Sequence, residues 1–296
     1  MVTQYGGVET GGTKIVCAVG TGPGELAAFE RFPTTEPTET LDRIIAFFAT
    51  HDRIAALGVA SFGPLDLRSG SENYGSVAAT PKPGWAGTNV REVLGAAIGV
   101  PVAIDSDVNG AALGEWRWGA ARGLDSFLYL TIGTGIGGGA MTNGELVHGV
   151  NHPEMGHLLI PRAPDDAFPG ICPFHGDCLE GMASGPAIEA RWGVPGRELG
   201  PLLDLAVALE ADYLGSALMN LTLTLMPERI ILGGGVMHTP GLLDAVRSAT
   251  TRKLAGYLED PRVSAGVDEY VVPPGLGDEA GILGAIALAQ RLGAAA

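Results

Sequence analysis

Residues 128–141, LYLTIGTGIGGGAM, narrow the possible folds more than any other part of the chain. The spacing Gly133-x-Gly135-x-x-Gly138 matches the dinucleotide fingerprint, but that fingerprint must open a helix. Here Gly139-Ala140-Met141 leads instead to Asn143-Gly144, a strong hairpin signal. The segment therefore reads as strand, glycine turn, strand. Residues 8–20, VETGGTKIVCAVG, read the same way, with Gly11, Gly12, Thr13 and Lys14 at the turn. Such a recurrence marks two similar halves. Backbone N–H groups at glycine turns can cradle phosphate oxygens, and an ordinary hairpin is the alternative for either turn alone. Two such turns facing each other would hold a nucleotide tail from both sides.

Strands alternate with helices along the rest of the chain, which predicts α/β architecture. Leu41, Ile44, Ile45 and Phe48 share one helical face, and Thr38 is placed to cap that helix. A strand over 54–61 ends in Phe62-Gly63-Pro64. Residues 80–85, TPKPGW, are too Pro-rich for regular structure and form a loop, placed to cover a ligand or to pack Trp85 locally. Residues 101–105 read as a buried strand and 109–118 as a helix. Asp107 stands at their junction, a good place for a catalytic base held on rigid elements, and equally a helix N-cap. Helices are expected from Ser184 and from Leu202. A strand over 229–236 ends in Gly233, Gly234 and Gly235, where the chain can approach a base or ribose closely. A helix over 243–257, a strand over 269–272 and an Ala-rich helix over 279–292 complete the pattern. Cys17 falls in an apolar strand and reads as core.

Residues 154–180 concentrate His157, Cys172, His175 and Cys178. Thiolates and imidazoles in tetrahedral array suit Zn²⁺, and four protein ligands would close the site and make it structural. Pro173 and Gly176 supply the turn. Glu154 and Glu180 bracket the knot, so a metal clip would fix both in space.

A formal charge of −15 and the lack of any Lys or Arg run argue against a nucleic-acid partner. Three cysteines give no disulfide framework and point to a reducing cytoplasm. The N-terminal residues lack a secretory pattern. The long apolar stretch from Leu202 carries Asp204, Glu210 and Asp212 and reads as a buried helix, with no membrane role.

Taken together, GGVETGGTK, TIGTGIGGG, HPEMGH, CPFHGDCLEG and ILGGGVM resemble the motifs of the ROK family (repressors, open reading frames, kinases), nearest to its bacterial fructokinases. The resemblance runs from Gly6 to the final helix. It implies two actin-like, ribonuclease H-like domains of hexokinase type around a central cleft. Residues 1–115 with the returning helix 279–296 would form one domain, and 116–278 the other, with the zinc segment 154–180. It also implies an ATP-dependent sugar kinase acting as a homodimer on a small-molecule sugar. Gly11, Gly12, Thr13 and Lys14, with Thr131, Gly133, Thr134 and Gly135, would hold ATP phosphates. Gly233, Gly234 and Gly235 would sit at the adenosine, and Glu9 would help place Mg²⁺. Asp107 matches the catalytic base. Ser106, Glu154, His157 and Glu180 match sugar contacts, His157 also being a zinc ligand. The chain departs from the ROK glucokinase pattern at His175, commonly Cys, and at Ser106, commonly Asn. Both differences resemble fructokinases. Glu9 replaces the usual Asp of the first phosphate loop.

Overall fold

In a computed structural model that describes residues 2–51, 53–80, 82–264 and 266–294, the apolar runs condense into two five-stranded sheets, each in its own unit. One unit comprises Met1–Gly123, Leu146–Pro153 and Gly275–Ala296, the other Leu124–Glu145 and Glu154–Pro274.

The first unit opens with β1 (Tyr5–Thr10), β2 (Lys14–Gly20) and β3 (Leu26–Pro33), an antiparallel meander. Helix α1 (Pro37–Ala49) leads to β4 (Leu57–Ser61), and α2 (Val90–Ile98) leads to β5 (Val102–Ser106) and α3 (Asp107–Trp118). Strands β4 and β5 run parallel to β1, giving the order β3-β2-β1-β4-β5. All five residues of β4 are buried, as a central parallel strand covered on both faces requires.

The second unit contains β6 (Phe127–Ile132), β7 (Ile136–Thr142) and β8 (Glu145–Leu146), then α4 (Leu179–Ala183), α5 (Gly185–Trp192) and the long α6 (Leu203–Leu225). It continues through β9 (Ile230–Gly233), α7 (Leu242–Leu254), the short turns α8 (Pro261–Ser264) and α9 (Val267–Tyr270), and β10 (Val271–Val272). Its strand order is β10-β9-β6-β7-β8, with β6 antiparallel to β7 and parallel to β9. Counted from the hairpin outward, the two sheets follow one plan: a leading antiparallel pair, then two parallel strands beside the first. Asn143 and Gly144 both adopt positive φ, 52° and 78°, as their hairpin signal requires.

The chain then returns to the first unit as α10 (Ala280–Ala294), which lies on β1 and β4 and against α3. Small residues let these backbones touch. A Cβ on Gly58 would come 1.8 Å from the Ala285 carbonyl, and one on Gly284 would come 1.8 Å from that of Gly110. Glu115, fully buried on α3, secures the approach. Its carboxylate accepts the Ala120, Gly275 and Leu276 amides at 2.6, 3.0 and 2.9 Å.

Several boundaries differ from the expectation. Helix α1 starts at Pro37, a residue favoured at the first helical position, so Glu36 is the capping residue and Thr38 lies inside the helix. Residues 54–56 precede β4 rather than forming it. Glu269 and Tyr270 turn as helix, which leaves only Val271 and Val272 in the last strand. Trp85 packs locally. It is 1% exposed, its ring meets Phe62 edge-on at 5.0 Å, and its indole N–H donates to the Thr35 carbonyl at 3.0 Å. Pro81 of the same loop lies outside the described residues. Among the described residues, no helix is long and apolar enough to cross a membrane.

Candidate active site

In the first unit, Thr10, Ser61 and Ser106 stand side by side at the ends of β1, β4 and β5. The Gly11–Thr13 turn, the Phe62-Gly63-Pro64 turn and Asp107 therefore leave the sheet along one edge. Two strand spacings put the first and last about 10 Å apart at the backbone. The Gly11 amide closes the turn onto the Lys14 carbonyl at 2.8 Å, and Thr34 bonds the Gly11 carbonyl, also at 2.8 Å. Gly12 and Thr13 are exposed at the tip, and no hydrogen bond among the described residues occupies their amides. Lys14 follows, half-buried.

The Glu9 carboxylate lies against the start of α10, where a Cβ on Gly281 would lie 2.6 Å from its carboxyl carbon. Its Oε2 is buried without a hydrogen-bond partner. Burial pushes its pKa up, against the pull of Lys14 and Arg31. A buried carboxylate left in that state is costly and is relieved by a cation.

Asp107 is the first residue of α3, and the capping role belongs to its neighbour. Ser106 Oγ accepts the Asn109 amide at 3.2 Å, while Asp107 Oδ1 takes the Val108 amide at 2.9 Å. Behind them, buried Asp105 accepts from the Ser106 amide and from Asn109 Nδ2, each at 2.8 Å, and from His148 Nε2 at 3.0 Å. His148 is held above the ordinary histidine pKa, chiefly by that bond to Asp105. His148 belongs to residues 146–153, the excursion of the chain back to the first unit. There Asn151 hydrogen-bonds both Leu65 and Leu67, and His152 Nε2 accepts the Leu65 amide at 3.0 Å.

In the second unit, Thr131 and Gly233 are register partners at the ends of β6 and β9, so the Gly133–Gly135 turn and the triple glycine share an edge. This turn is covered on its flank. Glu180 Oε2 accepts the Ile136 amide at 2.9 Å, and a Cβ on Gly135 would lie 2.7 Å from that oxygen. The Gly185 amide bonds the Gly133 carbonyl at 2.8 Å. Thr134 is exposed and Thr131 half-buried. In the triple glycine, a Cβ on Gly233 would meet the Tyr129 hydroxyl and one on Gly234 the Ile132 carbonyl, whereas Gly235 faces open space. Glu154 is exposed, and its carbonyl accepts the His157 amide at 3.1 Å.

His157, Cys172, His175 and Cys178 converge with all ligand atoms within 4.8 Å of one another. His157 Nδ1 lies 3.7 Å from Cys172 Sγ and 3.5 Å from Cys178 Sγ, and His175 Nδ1 lies 3.7 Å from Cys172 Sγ. Zn–S bonds of about 2.3 Å and Zn–N bonds of about 2.0–2.1 Å at tetrahedral angles put S and N about 3.5–3.6 Å apart. The contacts thus have the edge lengths of a zinc tetrahedron, and the donor set fits the ion. Cys172 and Cys178 are buried and His175 is exposed, so the cluster sits just under the surface.

Sequence reasoning did not single out Asp105, Asn109, Glu115, His148, His152 or Lys82. Asp105 and Asn109 flank Asp107 at i−2 and i+2, a weak signal. The partners of Glu115 and His148 lie about 160 and 40 residues away in sequence, beyond any local pattern.

The ROK family model matches residues 5–292. A fructokinase of Zymomonas mobilis is 46% identical over 96% of this chain and 96% of its own length, and one of Lactococcus lactis is 42% identical over 93% and 92%. Relatives named glucokinase that match over 95–96% of the chain are 28–29% identical. Among solved structures, a ROK hexokinase from Thermus thermophilus matches with a TM-score of 0.82 and 30% identity, covering 99% of this chain and 100% of that one. A Streptomyces griseus ROK glucokinase in complex with glucose and AMPPNP matches with a TM-score of 0.76 and 27% identity over 97% and 99%. Two similar α/β halves, the glycine turns at matching sheet edges and near full-length similarity agree: the chain belongs to the ROK family, with the fold of its hexokinases.

Proposed function

We propose that the protein transfers the terminal phosphoryl group of MgATP to a hexose hydroxyl, converting D-fructose to fructose 6-phosphate. One observation carries the reading: Asp107 and the open Gly12–Thr13 turn leave the first sheet along the same edge. A sugar hydroxyl is a weak nucleophile, and Asp107 accepts its proton as attack on phosphorus develops. The Ser106 cap and the Asp105–Asn109–His148 network hold that carboxylate in place. Charge spreads over the phosphoryl oxygens as the bond breaks, and amide donors aimed at them supply much of the stabilisation. Gly12, Thr13 and Lys14 are assigned to this role, as are Thr131, Gly133 and Thr134 of the second hairpin. Gly235 is the open position for the adenosine. Glu154, Glu180 and the Nε2 edge of His157 are assigned to sugar hydroxyls.

Two metals fit the residues present. His157, Cys172, His175 and Cys178 would hold zinc, and with no ligand position left open it would fasten the segment that carries Glu154 and Glu180. Glu9, with its unpartnered buried oxygen, would help hold Mg²⁺. Bound Mg²⁺ neutralises phosphate charge.

Identity is higher to fructokinases than to glucokinases, and His175 and Ser106 follow the fructokinase pattern; both support fructose as substrate. Initial rates with MgATP on fructose, mannose, glucose and N-acetylmannosamine test this. Fructose should give the highest kcat/KM, and a tenfold preference for another hexose would reassign the substrate.

A further inference from the structure

The chain has only three lysines, Lys14, Lys82 and Lys253, against fifteen arginines. Lys253 is ion-paired with Asp212 at 2.8 Å. The other two both lie at the first glycine hairpin. The Lys82 Cε lies 3.8 Å from where a Gly12 Cβ would stand, and its ammonium sits 5.3 Å above the centre of the Phe62 ring. No carboxylate pairs with it among the described residues. Phe62 follows Ser61, whose strand runs between those ending at Thr10 and Ser106. The ammonium thus stands beside the Gly12 turn, over the ring of the residue that follows the strand between those ending at Thr10 and Ser106. Trp85, buried and bonded to Thr35, anchors the loop, and the Lys82 backbone carbonyl accepts the Trp85 amide at 3.4 Å. Burial holds Lys82 below the ordinary lysine range, so an anion beside it would be welcome.

We propose that Lys82 is a further catalytic residue, whose ammonium binds the terminal phosphoryl group of the donor as it passes from the Gly12 turn toward the hydroxyl activated by Asp107. A compact, strongly hydrated point charge suits a group whose negative charge moves from one oxygen to another. In the balanced step, the bond from phosphorus to the bridging oxygen of ADP breaks as that to the sugar oxygen forms. The hydroxyl proton goes to Asp107, and Lys82 keeps its own.

The proposal rests on the kinase reading, and two measurements separate their failures. Sugar-dependent ADP release by wild-type protein tests the reading itself. Lys82→Met should then lower kcat about 10–100-fold, within the range for removing one charged donor, with the melting temperature unchanged. Calorimetric affinities for MgAMPPNP and for AMP, which need no turnover, test the contact directly. Lys82→Met should weaken the triphosphate analogue about tenfold or more and leave AMP unchanged, and Lys82→Arg should restore most of that difference. A purely structural lysine would shift both affinities equally. Equal AMPPNP-to-AMP affinity ratios in wild type and Lys82→Met would overturn the proposal, whatever the turnover.

Discussion

The two glycine hairpins occupy the same place in sheets of the same strand order, yet their surroundings are opposite. The Gly11–Thr13 turn is open at its tip, with Lys14 and Lys82 beside it and the half-buried Glu9 two residues before it. The Gly133–Gly135 turn is flanked by the Glu180 carboxylate and by the start of α5, and its neighbouring strand lies under the zinc-ligand segment. One motif thus serves two ends. Two lysines give the first hairpin a positive flank. In the second, the glycines allow the close approach of another segment. A glycine turn therefore leaves its ligand undecided until the neighbouring side chains are known.

The largest effect should come from the edge of the first hairpin. Asp107→Asn should lower kcat about 10²–10⁴-fold, as loss of general-base assistance does, while AMPPNP affinity stays within a factor of two. Steady-state kinetics with calorimetry would check this, and near-normal turnover would reduce Asp107 to a structural position.

The metal cluster comes next and concerns the second hairpin alone. One zinc per chain should co-purify with wild type and resist mild dialysis, and Cys178→Ser should lose most of it. Because Glu180 lies two residues beyond Cys178, the variant should raise KM for the sugar more than KM for ATP. Metal analysis alongside kinetics reads both, and full activity without zinc would break the link.

A pair of alanine substitutions measures the contrast between the hairpins. A Cβ on Gly156 would come 1.7 Å from the Ile136 carbonyl, so Gly156→Ala should destabilise by about 1–3 kcal/mol through overpacking. A Cβ on Gly12 meets nothing nearer than the Lys82 Cε at 3.8 Å, and Gly12→Ala should change stability by less than about 0.5 kcal/mol. Urea unfolding would show the two values, and equal losses would mean that the turns are equally crowded.

The smallest effect is a pH dependence in the second unit. Glu210 on α6 is buried, and its pKa is pushed up to about 8 by that burial, against the pull of Arg191 at 3.6 Å. A raised folded pKa contributes stability that is fully present below the unfolded carboxyl value, near 4.5, and is lost as pH rises through about 8. Glu210→Gln should therefore flatten the fall in melting temperature between about pH 5 and pH 8. An unchanged slope would assign that fall to other groups.

Local chemistry made part of this legible. Strand–turn–strand units, the Asn143-Gly144 hairpin, the Ser184 helix start and the spacing of the zinc ligands are all short-range, and each appears in the structure. The start of α1 differs because Thr38 is a good capping residue, while Pro37 at the first helical position sets the start two residues earlier than a Thr38 cap would. The last strand shrank because residues 267–270 turn as a helix first. The return of residues 146–153 to Leu65 and Asp105 left no mark in composition or periodicity. Lys82 sat in a loop recognised only by its prolines, and its meaning came from Gly12, seventy residues earlier.

The most direct test of the account is one product analysis, run on wild type and on Asp107→Asn with MgATP and ¹³C-fructose and followed by ³¹P and ¹³C NMR. Wild type should give stoichiometric ADP and fructose 6-phosphate, and the variant should form the same product at least a hundredfold more slowly. A different phosphorylated position, ADP release without sugar phosphate, or equal rates from both proteins would contradict it.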